Sequence, residues 1–226
     1  MVLAMALRTY GMQKIWAVLL LIAALAAGGL VYRQLDQPAE FSHVLIYPTP
    51  RDLKPFSLIG HNTQPVSREQ LNGHWTLAFV GYTFCPDICP MTMAMLAGSY
   101  TELSKALPAG QKLQLWFVSV DPKRDTVTQL GNYVGYFEQP AILGVTANHD
   151  QLFPFVRELG LMYAISSTTD DDYRVDHSAS VVLINPHGQL VAMFKPELGA
   201  EQNTVPVVTK AQLLRDFPAV VQQVRP

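Results

Sequence analysis

Cysteine is nearly absent: the 226 residues contain only two, Cys85 and Cys89. So few sulfurs exclude a disulfide-stapled scaffold and a closed four-cysteine zinc site. Charge is also scarce, at 15%, and 16 Lys plus Arg against 18 Asp plus Glu leave a formal −2. A general nucleic-acid binder would show a basic stripe, which this balance argues against. Also missing are a G-x-S-x-G elbow, a Walker loop and a G-x-G-x-x-G fingerprint, which removes three common catalytic readings. No internal repeat or low-complexity tract is present. Apolar residues make up 49% of the chain, so it is no disordered tail.

The apolar excess is uneven. Residues 15–32 read IWAVLLLIAALAAGGLVY without one charge. The run is long enough to span a bilayer, near the lower limit. Arg8 and Lys14 precede it, which places residues 1–14 in the cytoplasm and the rest across the membrane. The competing reading is a cleaved signal peptide, since Ala24-Leu25-Ala26 resembles a cleavage site. The run is longer than a usual signal core, which favours an uncleaved anchor. Without Arg8, Lys14 and Arg33 the remaining chain, from residue 36 on, carries thirteen bases and eighteen acids, a net −5. That length suits one domain with a sizeable core.

Residues 33–55 contain Pro38, Pro48, Pro50 and Pro55 and read as a tether, so the domain is expected over 56–226. Short strands are expected at 56–59 and 63–66, with a capping-box turn at Ser67-Arg68-Glu69-Gln70. Residues 75–84, 113–120 and 141–145 read as buried strands, and 90–106, 126–138 and 150–159 as helices between and after them. Asp125 or Thr126 would cap the second helix. Residues 179–184 and 189–194 form a hairpin around Asn185-Pro186-His187-Gly188, and 209–224 a last helix kinked at Pro218. Alternating strands and helices followed by a hairpin give a layered α/β domain.

Chemistry concentrates at Phe84-Cys85-Pro86-Asp87-Ile88-Cys89-Pro90, a C-x-x-x-C pair at a strand-to-helix junction. Residues four apart share a helix face, with Cβ atoms about 5–6 Å apart. The sulfurs could share a metal or form a disulfide. The helix N-terminus favours thiolate, the soft ligand that selects Cu(I) or zinc. A structural disulfide is the plainer alternative, but so short a loop gains little from closure. A thioredoxin-type redox site has two residues between its cysteines, and this pair has three.

A third ligand would come from six histidines. His43 lies in the tether, His61 and His74 flank short elements, His149 could cap a helix, and His187 sits in a turn. His177, in Val175-Asp176-His177-Ser178, directly precedes an apolar strand, and strand ends gather ligand sites in α/β sheets. A surface histidine is the competing reading there. Met91, Met93 and Met95 follow the cysteines, but Met91 and Met95 at i and i+4 near Leu96 read as a packing face. Asp170-Asp171-Asp172 reads as a solvated loop, or as a docking patch for a basic partner.

Three blocks in order are familiar: Gly81-Tyr82-Thr83-Phe84-Cys85-Pro86-Asp87-Ile88-Cys89-Pro90, Ser119-Val120-Asp121-Pro122-Lys123-Arg124-Asp125-Thr126, and Val175-Asp176-His177-Ser178 with Leu183-Ile184-Asn185-Pro186-His187-Gly188. Over roughly residues 55–195 the chain resembles the Sco/SenC family of membrane-anchored copper proteins. The resemblance implies a thioredoxin-like three-layer domain with a central mixed sheet, preceded by one transmembrane helix. It implies one copper, Cu(I) or Cu(II), held by Cys85, Cys89 and His177. The implied role is a copper chaperone for the CuA centre in subunit II of cytochrome c oxidase, by copper delivery or by reduction of that subunit's cysteines. Asp121 and Asp125 match the family's D-P-x-R-D loop, where Asp121 could lie near the site or both could serve only as turn and cap. Asp87 reads as an exposed carboxylate for partner recognition.

Two rival functions use the same sulfurs. A thiol-disulfide oxidoreductase would need Cys85 and Cys89 as a redox pair, but neither His177 nor a metal. A peroxide-handling thiol protein would need a low-pKa attacking thiolate. The expected location is a bacterial inner membrane with the domain in the periplasm, because no Arg- and Ser-rich presequence precedes the apolar run.

Overall fold

The computed structural model describes residues 16, 19–29, 43–167, 173–197 and 205–224. The chain divides into two units, Met1–Glu40 and Phe41–Pro226. In the first, residues 19–29 are helical and expose Leu19, Leu20, Leu21, Ile22 and Leu25. Among the described residues no helix is long and apolar enough to cross a membrane. The expected cytoplasmic segment 1–14, both ends of the 15–32 run, residues 33–42 and Asp170–Asp172 lie outside the described residues.

The second unit is built on three parallel strands, β4 (His74–Gly81), β5 (Lys112–Ser119) and β6 (Ile142–Thr146). Beyond Trp75 and Leu115 respectively, β4 and β5 bury every residue, as parallel strands covered on both faces do. Side chains alternate across the pleat. Phe117 faces Tyr133 of helix α2 (Val127–Gly135) at a ring separation of 4.9 Å. Its neighbour Trp116 faces the other way, edge-on to Phe56, which in turn lies 4.5 Å from Phe155 of α3 (His149–Glu158). Helices therefore cover both faces, and the three-layer reading stands. Gly144 of β6 allows the close approach of α2: a Cβ there would meet Leu130 at 2.8 Å and Val134 at 3.0 Å.

Antiparallel strands extend the sheet on both sides. The hairpin β9 (Val181–Ile184) and β10 (Gln189–Phe194) joins β4 through β9. Its turn closes as expected, with Asn185 Oδ1 accepting from the His187 and Gln189 amides and Gly188 at φ 70°. On the far side β2 (Leu58–Gly60) pairs with β6 and β3 (Pro65–Val66) with β2. Helices α1 (Ile88–Lys105) and α4 (Lys210–Gln223) pack against one another.

The tether expected over 33–55 is corrected by the structure. Val44–Asp52 forms strand β1, antiparallel to β10, and Leu53 belongs to the core. Prolines argue against strands because they cannot donate to a ladder, but an edge strand tolerates them. Here the register slips between Ile46 and Arg51, and Pro48 and Pro50 fall in the slipped stretch. The folded unit thus begins more than ten residues before Phe56.

A second element was not expected. Strands β7 (Tyr163–Ile165) and β8 (Val175–His177) form a separate two-stranded antiparallel arm, with Tyr163 opposite His177. His177 ends this arm instead of leading directly into a sheet strand.

Candidate metal centre

The cysteine loop begins where β4 ends. Gly81 is its last residue, and Cys85 closes a turn by donating its amide to the Tyr82 carbonyl at 3.2 Å. Asp87 stands at the N-cap of α1, and Cys89 is the second helical residue. Cys89 is buried and Cys85 half-exposed, and both are free thiols. The Cys89 sulfur occupies space that only glycine leaves open: a Cβ on Gly81 would lie 2.6 Å from it.

The arm supplies the third donor. His177 Nε2 lies 3.3 Å from Cys89 Sγ, and donor atoms of Cys85, Cys89 and His177 all fall within 4.8 Å of one another. The ring stands edge-on between Phe79, at 5.7 Å, and Tyr82, at 6.0 Å. Its Nδ1 is 3.2 Å from the Ser178 carbonyl, and a proton donated there leaves the Nε2 lone pair for a metal. Among the described residues this is the one cluster of His, Cys, Asp and Glu that could hold an ion.

The two sulfurs are electrostatically unequal. The Cys89 thiol donates to Cys85 and, with further help from His177 and the Cys89 and Asp87 amides, lowers the Cys85 pKa to about 3 against the opposing cost of burial. Cys89 is pushed strongly upward, first because its own proton is engaged by Cys85, then by burial and by the Cys85 charge. One half-exposed thiolate therefore sits beside one buried thiol. A metal that displaces the second proton converts the pair into two thiolates and an imidazole. That donor set fits a soft, low-coordinate ion such as Cu(I), and the imidazole extends it toward Cu(II).

The two loop aspartates do more than turn the chain. Asp121 and Asp125 are both fully buried. Asp125 accepts from the Thr83 amide at 2.9 Å, the Thr83 hydroxyl at 2.7 Å and the Ser119 hydroxyl. Burial raises its pKa, and the Ser119 and Thr83 hydrogen bonds oppose that rise. Asp121 pairs with Arg124 and accepts from the Tyr173 hydroxyl. Neither aspartate belongs to the ion-holding cluster. Helix α2 is capped by Thr126, whose side chain accepts from the Gln129 amide, and not by Asp125.

Other candidates separate from the site. His149 Nδ1 is 2.9 Å from the Tyr163 hydroxyl, and His61 Nδ1 accepts from the Gly144 amide at 3.1 Å. Asp87 is exposed, without a capping hydrogen bond from its side chain. Met91 is 55% exposed and Met93 fully buried, while Met95 packs against the core. The buried face of α1 runs through Cys89, Met93, Leu96 and Leu103, so the expected Met91–Met95 packing pair holds only for Met95. Sequence reasoning missed Tyr173, which precedes the His177 block by two residues and carries no ligand signature.

The fold and these donors define a thioredoxin-like domain with a soft metal centre of two cysteines and one histidine. The sequence profile of SCO1/SenC matches residues 48–211. The chain belongs to the SCO1/SenC family. A "Putative copper-binding protein" of Stutzerimonas stutzeri is 36% identical over 173 residues, spanning 76% of this chain and 83% of that protein. The mitochondrial SCO1 homolog 1 of Arabidopsis thaliana is 33% identical over 71% of this chain, which spans about half of that protein, 47%. The crystal structure of Arabidopsis thaliana ScoI with copper bound superposes with a TM-score of 0.63 at 30% identity, covering 75% of this chain and 98% of that one.

Proposed function

We propose that this protein binds copper as cargo through Cys85, Cys89 and His177 and acts as a chaperone in assembling the CuA centre of cytochrome c oxidase. The carrying observation is the convergence of the three donors within 4.8 Å. Copper bound in an Arabidopsis relative of the same fold supports the metal assignment. Family membership supports the oxidase role. The half-exposed Cys85 offers an edge at which a partner's thiolate can add before the buried Cys89 lets go, so copper passes by ligand exchange without being free.

The charge-free run 15–32 and the exposed apolar side chains of its helical part support a membrane anchor, with the domain in a bacterial periplasm. Fractionation with protease protection checks this: the chain should sediment with membranes, and its domain should be cleaved once the outer face is opened.

A second reading has its own observation. A half-exposed thiolate next to a buried thiol is the asymmetry of an attacking and a resolving cysteine. One transfer assay separates the two readings. The copper-loaded chain is mixed with a reduced, copper-free CuA domain, and the metal-free reduced chain with the oxidised domain. The chaperone reading expects copper to leave this chain for the CuA domain in the first mixture, read as metal content after the two proteins are separated, and expects that transfer to be lost with His177→Ala. Thiol exchange in the second mixture alone, indifferent to His177, would favour the reductase reading.

A further inference from the structure

The metal ligands come from two segments that share no sheet. The cysteine loop hangs from β4, and His177 sits on the β7–β8 arm, which forms a sheet of its own. A three-donor site requires these segments to keep a fixed spacing, and two-stranded arms are marginal by themselves.

One loop touches both. At its far end Asp125 holds Thr83, two residues before Cys85, through both backbone and side chain. At its near end Asp121 accepts from the Tyr173 hydroxyl, four residues before His177. Arg124 pairs with Asp121, donates to the Tyr173 carbonyl at 3.0 Å and lies 3.8 Å from the Tyr173 ring centroid. Ser119 connects the two ends, donating its hydroxyl to Asp125 and accepting from the Asp121 amide at 3.3 Å. An unbroken chain of polar contacts thus runs from the cysteine loop to the histidine arm. All of its carboxylates are fully buried, where each bond is costly to lose.

We propose that Asp121–Asp125 is the common mount of the metal centre, and that Tyr173 is the positioning residue latching the histidine arm to it. The Tyr173 hydroxyl is engaged by Asp121, and the residue acts by holding His177 at the cysteines. This rests on the copper-site reading above and adds the part that sets its spacing. Two consequences differ from those of a merely structural tyrosine. Removing the Tyr173 hydroxyl should weaken the histidine's contribution and leave the two sulfurs alone. It should also loosen the arm when no metal is bound.

The test is a double-mutant cycle on the full chain in detergent, reading Cu(I) affinity against a chelator. His177→Ala, Tyr173→Phe and the pair are compared with wild type. Tyr173→Phe is expected to lower affinity about tenfold, equivalent to about 1.4 kcal/mol. The pair should be no weaker than His177→Ala alone, and Asp121→Asn should behave like Tyr173→Phe. Amide exchange in the metal-free protein should quicken at 175–178 in Tyr173→Phe and stay unchanged along β1. Wild-type affinity and exchange in Tyr173→Phe would overturn the latch, as would a full additional loss in the His177→Ala background. Unchanged affinity in His177→Ala itself is a different result: it would remove the copper-site reading beneath.

Discussion

At the scale of single residues the site is governed by one missing side chain and one displaced proton. Gly81 leaves room for Cys89 Sγ, and the same Cβ would also strike Phe117 at 2.9 Å. Both neighbours are anchored in the core, so the clash cannot relax toward solvent. Gly81→Ala is expected to cost about 1–3 kcal/mol of stability, the usual penalty of overpacking, and to weaken Cu(I) binding. Chemical denaturation with a chelator titration measures both, and a variant equal to wild type in each would refute the packing account. The Cys85 pKa is lowered to about 3, so its thiolate persists as pH falls through the neutral range. The sign is toward reactivity in acid: between pH 8 and 5 its alkylation should change little. An ordinary thiol loses about tenfold per unit below its pKa of about 8.5. Mass spectrometry of iodoacetamide-treated, metal-free protein locates the label, expected on Cys85 before Cys89. Equal labelling of both, falling tenfold per unit, would contradict the asymmetry.

At the scale of elements, β1 and the β7–β8 arm show where sequence patterns lose their force. The central strands were legible because full burial leaves uninterrupted apolar runs, and the 185–188 turn because its chemistry is local. Strand β1 was not, since Pro48 and Pro50 speak against a ladder while the slipped register that accommodates them is set by β10, about 140 residues later. The arm was not, since three-residue strands carry too little periodicity to read. The ligands divide in the same way. Cys85 and Cys89 could be found from spacing alone. His177 stood out among six histidines only by its place before an apolar strand, and the family resemblance made it the third ligand, because its proximity to Cys89 is tertiary. Asp121 and Asp125 were visible as a motif, but their burial and their grip on Thr83 and Tyr173 were not. Element β1 yields a truncation prediction. A chain starting at residue 41 should keep the domain's thermal stability, while one starting at 56 loses the β1–β10 pairing and the buried Leu53. The second should unfold at clearly lower temperature or fail to fold. Equal melting of the two would return 44–55 to the role of a tether.

At the scale of the whole molecule, the fold mounts a half-exposed thiolate and a buried thiol on one segment and an imidazole on another, and brings the three donors within 4.8 Å of one another. Stable storage of a metal calls for a closed site. Transfer calls for one that a partner can reach, and the half-exposed Cys85 with the exposed Asp87 beside it meets that need. A three-donor centre exists only if Cys85, Cys89 and His177 act together on one ion. The direct measurement is Cu(I) titration of the fully reduced chain against a competing chelator, for wild type and for His177→Ala. One tightly held copper per chain is expected, with an affinity clearly lower in the variant. No tight copper, or the same affinity in both proteins, would contradict the three-donor centre.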